Sequence, residues 1–208
     1  ALILGASKQL VGQNNLVTSG GWRNELSVLP MLSGERLGVV GLGAIGSSVA
    51  RVGKAFGMEI VTWSPNMTPE RAAVENAKSV SLDELLSTSK VVTLHLVAGP
   101  GTKGLMSADQ LALMRPDSIL VNTSRSALIN MTDLCAALKQ GRPGQAAVDV
   151  FDIEPLPSND PLRNTPNLLA TPHLGFIAEP IFETFSKGIT QTLEAWLDQK
   201  PVPYPFEP

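Results

Sequence analysis

The run Gly41-Leu42-Gly43-Ala44-Ile45-Gly46 constrains this chain more than any other stretch, because of what stands on either side of it. Before it, Leu37, Val39 and Val40 form a short apolar, β-branched run. After it, apolar residues recur at helical spacing from Ala44 to Phe56, and a second apolar run spans Ile60 to Trp63. The segment reads as strand, turn, helix, strand. Gly41 lets the chain turn sharply, Gly43 lets backbone N–H groups approach a pyrophosphate, and Gly46 lets the helix pack close to the strand. The helix N-terminus, at Ala44 and Ile45, adds partial positive charge. Glycine turns also arise for purely structural reasons, but one set between a buried strand and an amphipathic helix points to dinucleotide binding.

A chain of 208 residues is long enough for one large domain or two small ones. With 43% hydrophobic residues and a net charge of −3, it has the balance of a globular protein without a strong field to gather nucleic acid or an anionic membrane. No apolar run approaches the length that spans a bilayer. The opening ALILGASKQL lacks a basic n-region and a clear cleavage site, so it does not read as a signal peptide. The one cysteine, Cys135, cannot form an internal disulfide, and its place between Leu134 and Ala136 on an apparent helix face favours packing. A reducing, cytoplasmic setting is the expectation.

Taken in order, residues 1–18 read as a helix entered in mid-course, broken by Ser19-Gly20-Gly21-Trp22, with an irregular connector from Trp22 to Gly34. Ser64-Pro65-Asn66 is a turn, Thr68-Pro69-Glu70 starts a helix, and Ser81-Leu82-Asp83-Glu84 caps another. Val91 to Val97 is a strand followed by a Gly- and Pro-rich loop to Lys103. Ser107 opens a short helix, Ser118 to Asn122 is a strand, and Asn130-Met131-Thr132-Asp133 caps a helix that runs to Lys139 and stops at Gly141. Ala146 to Val150 and Leu168 to Ala170 are further strands. This alternation predicts an α/β fold: a doubly wound, mostly parallel sheet of Rossmann type with a leading helix and a long C-terminal helix. That last helix, Ala178 to Gln199, carries Ile181, Phe182, Phe185, Ile189, Leu193, Trp196 and Leu197 on one side. The expected division is residues 1–34 as leading helix and connector, 35–176 as the dinucleotide-binding domain, and 177–208 as C-terminal helix and proline-rich tail.

In open α/β sheets, ligands bind beyond the carboxyl ends of the strands. The polar residues that follow strands here are His95, Thr123-Ser124-Arg125, Asp149, Glu154 and His173. Singly, each has an ordinary reading: Arg125 as a surface residue, Glu154 as a turn carboxylate before Pro155, His173 as a loop histidine satisfied by backbone. Together they supply a cation, a carboxylate and an imidazole downstream of a dinucleotide site, which suits hydride transfer to a carbonyl. No cluster suggests a metal.

The motifs GLGAIG, VNTSR at 121–125, DVFDIEP at 149–155 and TPHLG at 171–175 together resemble the D-isomer-specific 2-hydroxyacid dehydrogenase family, over nearly all of residues 36–200. The resemblance implies NAD or NADP as cofactor and a small 2-oxo or D-2-hydroxy acid as substrate. By it, Arg125 binds the substrate's carboxylate and carbonyl oxygen, His173 donates the proton, Glu154 orients the imidazole, and Asp149 meets the nicotinamide carboxamide. Gly41, Gly43, Ala44, Ile45, Gly46, Ser64, Pro65, Asn66, His95, Leu96, Val97, Thr102, Thr123, Ser124, Asp149 and Gly175 are then the cofactor-binding set. A homodimer through the nucleotide domain is also implied, with the apolar first helix and Trp22 taking part.

Three departures stand out. Ser64 occupies the end of the second strand, where many NAD-specific members carry an Asp that receives the ribose hydroxyls; its absence admits NADP, and Arg71 lies close in sequence. Ser126 stands where the family has glycine, which bears on the local backbone and the aim of Arg125. The family's N-terminal substrate-domain segment is not represented, so residues 177–208 are expected to be the remnant of that domain, and these residues alone to bind dinucleotide but turn over weakly. The alternative is a dinucleotide-sensing interaction module similar to the C-terminal-binding-protein corepressors, which share these motifs. Formate dehydrogenases are less similar, with glutamine where Glu154 stands.

Overall fold

The computed structural model describes residues 1–23 and 28–203; residues 24–27 of the expected connector and 204–208 of the tail lie outside the described residues. One compact unit runs to Pro172, and a second begins at His173. In the first, seven strands form one sheet: β1 (Arg36–Val40), β2 (Glu59–Trp63), β3 (Lys78–Ser79), β4 (Val91–Leu94), β5 (Ile119–Asn122), β6 (Gln145–Val148) and β7 (Leu168–Ala170). Their spatial order is β3-β2-β1-β4-β5-β6-β7, and every pairing is parallel.

Period-two alternation divides the strands between two cores. Leu37, Val39, Val91, Ile119, Val121 and Ala147 face one side, where they pack with Ala50 of α3 (Ala44–Ala55) and Ala6 of α1 (Leu2–Ser7). Val40, Val92, Leu94, Leu120, Ala146 and Val148 face the other. There they meet Leu85 and Leu86 of α5 (Leu82–Thr88), Leu111 of α6 (Ala108–Leu113), and Leu134 and Leu138 of α7 (Met131–Lys139). A parallel sheet buried on both faces needs such continuous apolar strands. A further helix of this region, α4 (Pro69–Val74), precedes β3.

The caps fall where the sequence puts them. Thr68, Ser81 and Asn130 accept bonds from the backbone N–H groups of Arg71, Glu84, and both Thr132 and Asp133. Cys135 is half-buried against the core and accepts a bond from Thr165 Oγ1 at 3.3 Å.

The leading helix is not continuous. It is broken into α1 and α2 (Leu10–Thr18) at Gln9, whose φ is 48°. Helix α1 lies against β5 and β6 and buries Ala6 and Ser7, whereas α2 buries nothing, so the break separates a docked turn from an undocked one. The strands expected at 91–97 and 146–150 stop at Leu94 and Val148. Leu94 pairs with Val40 and Asn122, and neither neighbouring strand continues past those residues, so the ladder has no further partner. Strand β3 has two residues and no apolar pattern, which is why the sequence did not announce it.

At the amino ends of the strands, charged residues pair in a row: Arg36 with Glu59, Arg115 with Glu35 and Asp117, and Lys90 with Asp117. Lys90 is buried, and its Nζ donates to the Asp117 carboxylate at 2.9 Å. Hydrogen bonding from Arg115, and then from Lys90, holds the Asp117 carboxyl down at about 2. Because its folded-state pKa is depressed, this group's contribution is intact above about pH 4 and is lost only as pH falls toward 2.

In the second unit, α8 (Glu179–Leu197) buries none of its residues, and Phe185, Leu193 and Trp196 of its apolar side are exposed. Among the described residues no helix is long and apolar enough to cross a membrane.

Candidate functional site

The chain runs from β1 outward to β2 and β3, then returns to place β4 on the other side of β1. The carboxyl ends of β1 and β4 therefore flank the point where strand order reverses, which is where an open α/β sheet binds its ligand. The glycine turn follows β1 there. Gly41 has φ 98°, and a Cβ on it would meet the His95 carbonyl oxygen at 2.8 Å, so the turns after β1 and β4 touch backbone to backbone. A Cβ on Gly46 would come within 2.0 Å of the Gly41 carbonyl oxygen, which fixes how closely α3 approaches the strand.

Gly43 is different. It is the N-cap of α3, offers no side-chain cap, has no acidic residue after it in the first turn, and a Cβ on it would meet nothing within 4 Å. Open space thus faces the unpaired N–H groups of a twelve-residue helix, a cradle that suits a pyrophosphate. The residues present fit a dinucleotide.

The other expected residues of the first unit stand at the same edge of the sheet. Ser64-Pro65-Asn66 follows β2, and the Gly41 N–H donates to the Trp63 carbonyl at 2.8 Å, tying this turn to the glycine turn. After β4, Thr102 Oγ1 donates to the Val97 carbonyl at 2.7 Å and accepts from the Gly99 N–H at 2.9 Å, closing the loop on itself. After β5, Ser124 Oγ donates to the Leu96 carbonyl at 2.7 Å, which joins the loops of adjacent strands.

Arg125 sits on a loop braced by Asn122, a fully buried residue that the sequence reading passed over. Its Nδ2 donates to the Arg125 carbonyl at 2.9 Å, and its Oδ1 accepts from the Ser124 N–H at 3.0 Å. A polar side chain at the end of an otherwise apolar strand was the available signal. Ser126 opens a short 3-10 turn, Ser126–Leu128, and is not among the residues with positive φ, so this backbone does not demand glycine.

Asp149 follows β6, is buried, and accepts a hydrogen bond from Thr171 Oγ1 at 2.5 Å; Thr171 is a second residue the sequence reading did not single out. Glu154 Oε1 accepts from the Phe151 N–H at 2.9 Å. His173 opens the second unit with φ 51°, an uncommon conformation for a residue with a side chain, and stacks edge to face on Phe176 at 5.7 Å. Gly175 lies in that unit as well. Among the described residues no group of acidic, histidine or cysteine side chains gathers as a metal site.

The two histidines are unlike. His95 Nε2 lies 3.0 Å from Thr93 Oγ1, and burial pulls its pKa down to about 4. It is neutral at physiological pH. The unfolded chain takes up this proton near 6.5 and the folded one only near 4, so stability falls as pH drops through that window. Urea denaturation is expected to show about 3 kcal/mol lost between pH 7 and pH 4 through this group. A His95→Gln variant should lack that part of the slope; an unchanged slope would place the loss elsewhere.

Fold and edge together define a dinucleotide-binding α/β domain that presents an arginine and a buried carboxylate, Asp149, at the carboxyl edge of its sheet. Comparison with known proteins makes the assignment specific. The D-isomer specific 2-hydroxyacid dehydrogenase NAD binding domain matches residues 1–175, and this chain belongs to that family. It is 38% identical over 180 residues to a glyoxylate reductase of Aeropyrum pernix, covering 83% of this chain and 54% of that protein. To a D-3-phosphoglycerate dehydrogenase of Synechocystis it is 36% identical over 179 residues, covering 86% of this chain and 32% of that one. The crystal structure of a glyoxylate reductase from Paecilomyes thermophila superposes with a TM-score of 0.81 at 32% identity, covering 93% of this chain and 58% of that one. The chain thus spans between about a third and three-fifths of the length of these relatives.

Proposed function

We propose that these residues are the cofactor-binding part of an NAD(P)-dependent oxidoreductase acting on a small 2-oxo or D-2-hydroxy acid. The observation that carries the reading is the gathering of Gly43, Ser124, Arg125 and Asp149 at one edge of the sheet, beside a histidine that burial keeps neutral. When bound, the nicotinamide supplies a hydride to a carbonyl carbon or accepts one from the corresponding alcohol. Arg125 sets a fixed positive charge near the oxygen on which negative charge grows. His173 gives that oxygen a proton and, in the reverse direction, takes one from the hydroxyl. Glu154 orients the imidazole, and Asp149 accepts from the carboxamide.

A substrate domain completed by α8 belongs to this reading, as does a cytoplasmic setting. A homodimer through the nucleotide-binding domain is supported by α2, which buries nothing and exposes Leu10, Val11 and Val17, with Trp22 exposed beyond it. The test is to assay the complete gene product and these 208 residues side by side with a panel of 2-oxo acids and both reduced nicotinamides. The complete product is expected to reduce glyoxylate or hydroxypyruvate. The 208 residues alone are expected to bind nucleotide, sediment as a dimer and turn over slowly, since an unclosed site does not exclude water. No turnover of any 2-oxo acid by the complete product, with nucleotide still bound, would favour the sensing module instead.

A further inference from the structure

We infer that Asn122 is a positioning residue: its buried amide holds both the root of Arg125 and the point where the Arg125 guanidinium rests, and so sets where that cation is presented. The inference rests on the role proposed above for Arg125 and adds to it the residue through which that role is set.

An arginine on a loop aims its charge only if its backbone is fixed, because the long, freely rotating side chain otherwise spreads that charge over a wide volume. Arg125 faces this difficulty. It is exposed, and its backbone is extended, with φ −140° and ψ 139°, between the end of β5 and the 3-10 turn Ser126–Leu128.

Asn122 supplies the fixed point. It is the last residue of β5, fully buried, and its carbonyl accepts from the Asp149 N–H at 3.0 Å, which ties it to the end of β6. From there its side chain reaches forward. Oδ1 accepts from the Ser124 N–H at 3.0 Å, the local turn that asparagine side chains make with the backbone two residues on. Nδ2 donates to the Arg125 carbonyl at 2.9 Å, a shorter bond than the 3.3 Å one that this carbonyl receives from the Leu128 N–H. The guanidinium closes the circuit, with Nη1 donating to the Ser124 carbonyl at 2.7 Å. Root and tip of the arginine thus hang from one amide. Ser124 Oγ donates in turn to the Leu96 carbonyl, and the adjoining His95 carbonyl lies against Gly41, so the loop is referenced to the glycine turn as well. An amide is the group this circuit needs, since one end must accept and the other donate; a carboxylate has no donor and leucine has neither.

A buried asparagine can also do no more than satisfy nearby backbone, and a double-mutant cycle in the complete gene product separates the two roles. The readout is kcat/KM for glyoxylate and hydroxypyruvate with NADH and NADPH, beside nucleotide affinity. In Asn122→Ser the shorter hydroxyl can still accept from the Ser124 N–H but does not span to the Arg125 carbonyl. Its kcat/KM is expected to fall by about tenfold to a hundredfold, the cost of misplacing a reacting group by about an ångström. Nucleotide affinity should change far less, since the cradle at Gly43 belongs to the turn after β1. In an Arg125→Ala background the same substitution should change kcat/KM by less than about twofold, because no guanidinium is left to misplace. An equal loss in both backgrounds, or an Asn122→Ser enzyme as active as its parent, overturns the inference. So does an Asn122→Ser protein that no longer binds nucleotide, since the amide would then hold the fold rather than the arginine. Unchanged kcat/KM in Arg125→Ala overturns the role proposed for Arg125, and the inference with it.

Discussion

Replacing His173 by Gln in the complete enzyme is expected to lower kcat by about a hundredfold or more, the usual cost of a lost general acid. Glutamine keeps a polar side chain of similar reach but cannot give up a proton as the carbonyl oxygen becomes negative. Nucleotide affinity should stay within about twofold, because the role assigned to His173 lies in the chemical step rather than in holding the cofactor. The substitution is informative because this chain has two histidines, and the other, His95, is held at about 4 and is uncharged at neutral pH. Near-normal turnover in His173→Gln would remove the assignment, leaving Arg125 and Glu154 beside a nucleotide without a proton donor.

The second large effect separates two glycines three positions apart. Gly46→Ala puts a methyl group 2.0 Å from the Gly41 carbonyl oxygen, a contact that only movement of α3 away from the strand can relieve. Overpacking of this kind costs about 1–3 kcal/mol, and the displaced helix also carries the N–H groups that face the phosphates. Gly46→Ala should therefore lower stability and abolish nucleotide binding together. Gly43→Ala meets no atom within 4 Å, and its φ of −84° is one that alanine adopts readily. Stability should change by less than about 0.5 kcal/mol, as for a surface substitution. The added methyl would nevertheless occupy the space a pyrophosphate needs, so affinity should fall by about tenfold to a hundredfold, the worth of one or two charge-assisted bonds. Thermal unfolding and nucleotide titration of both variants check the pair. Equal behaviour of the two would mean that the open face at Gly43 is not where the phosphates lie.

Much of this architecture was readable in advance because it rests on local patterns. Leu37, Val39 and Val40 ahead of three spaced glycines specify a strand and a tight turn into a helix wherever they occur, and Thr68, Ser81 and Asn130 are hydroxyl or amide caps whose task needs only the next few residues. The motifs at 121–125, 149–155 and 171–175 could be set at strand ends for the same reason, since the apolar runs before them mark where each strand lies. The long helix from Glu179 was legible from its periodicity, but that periodicity did not report that its apolar side stays exposed.

Other features depended on segments far apart in the chain. Strand lengths were set by neighbours: Leu94 ends β4 because Val40 and Asn122 are the last residues able to pair with it. The break at Gln9 arises because α1 docks on the sheet and α2 does not. Asn122 and Thr171 look unremarkable in sequence, and their value came from bonds to Arg125 and Asp149.

By itself, then, the amino-acid order determined the alternation of strands and helices, the nucleotide turn and the family, since periodicity, glycine placement and caps act over a few residues. The folded chain alone decided that His95 stays neutral and that β1 and β4 are neighbours at the reversal of the sheet. Burial, charge and strand adjacency are properties of what packs around a residue, and no short stretch of sequence contains its own surroundings.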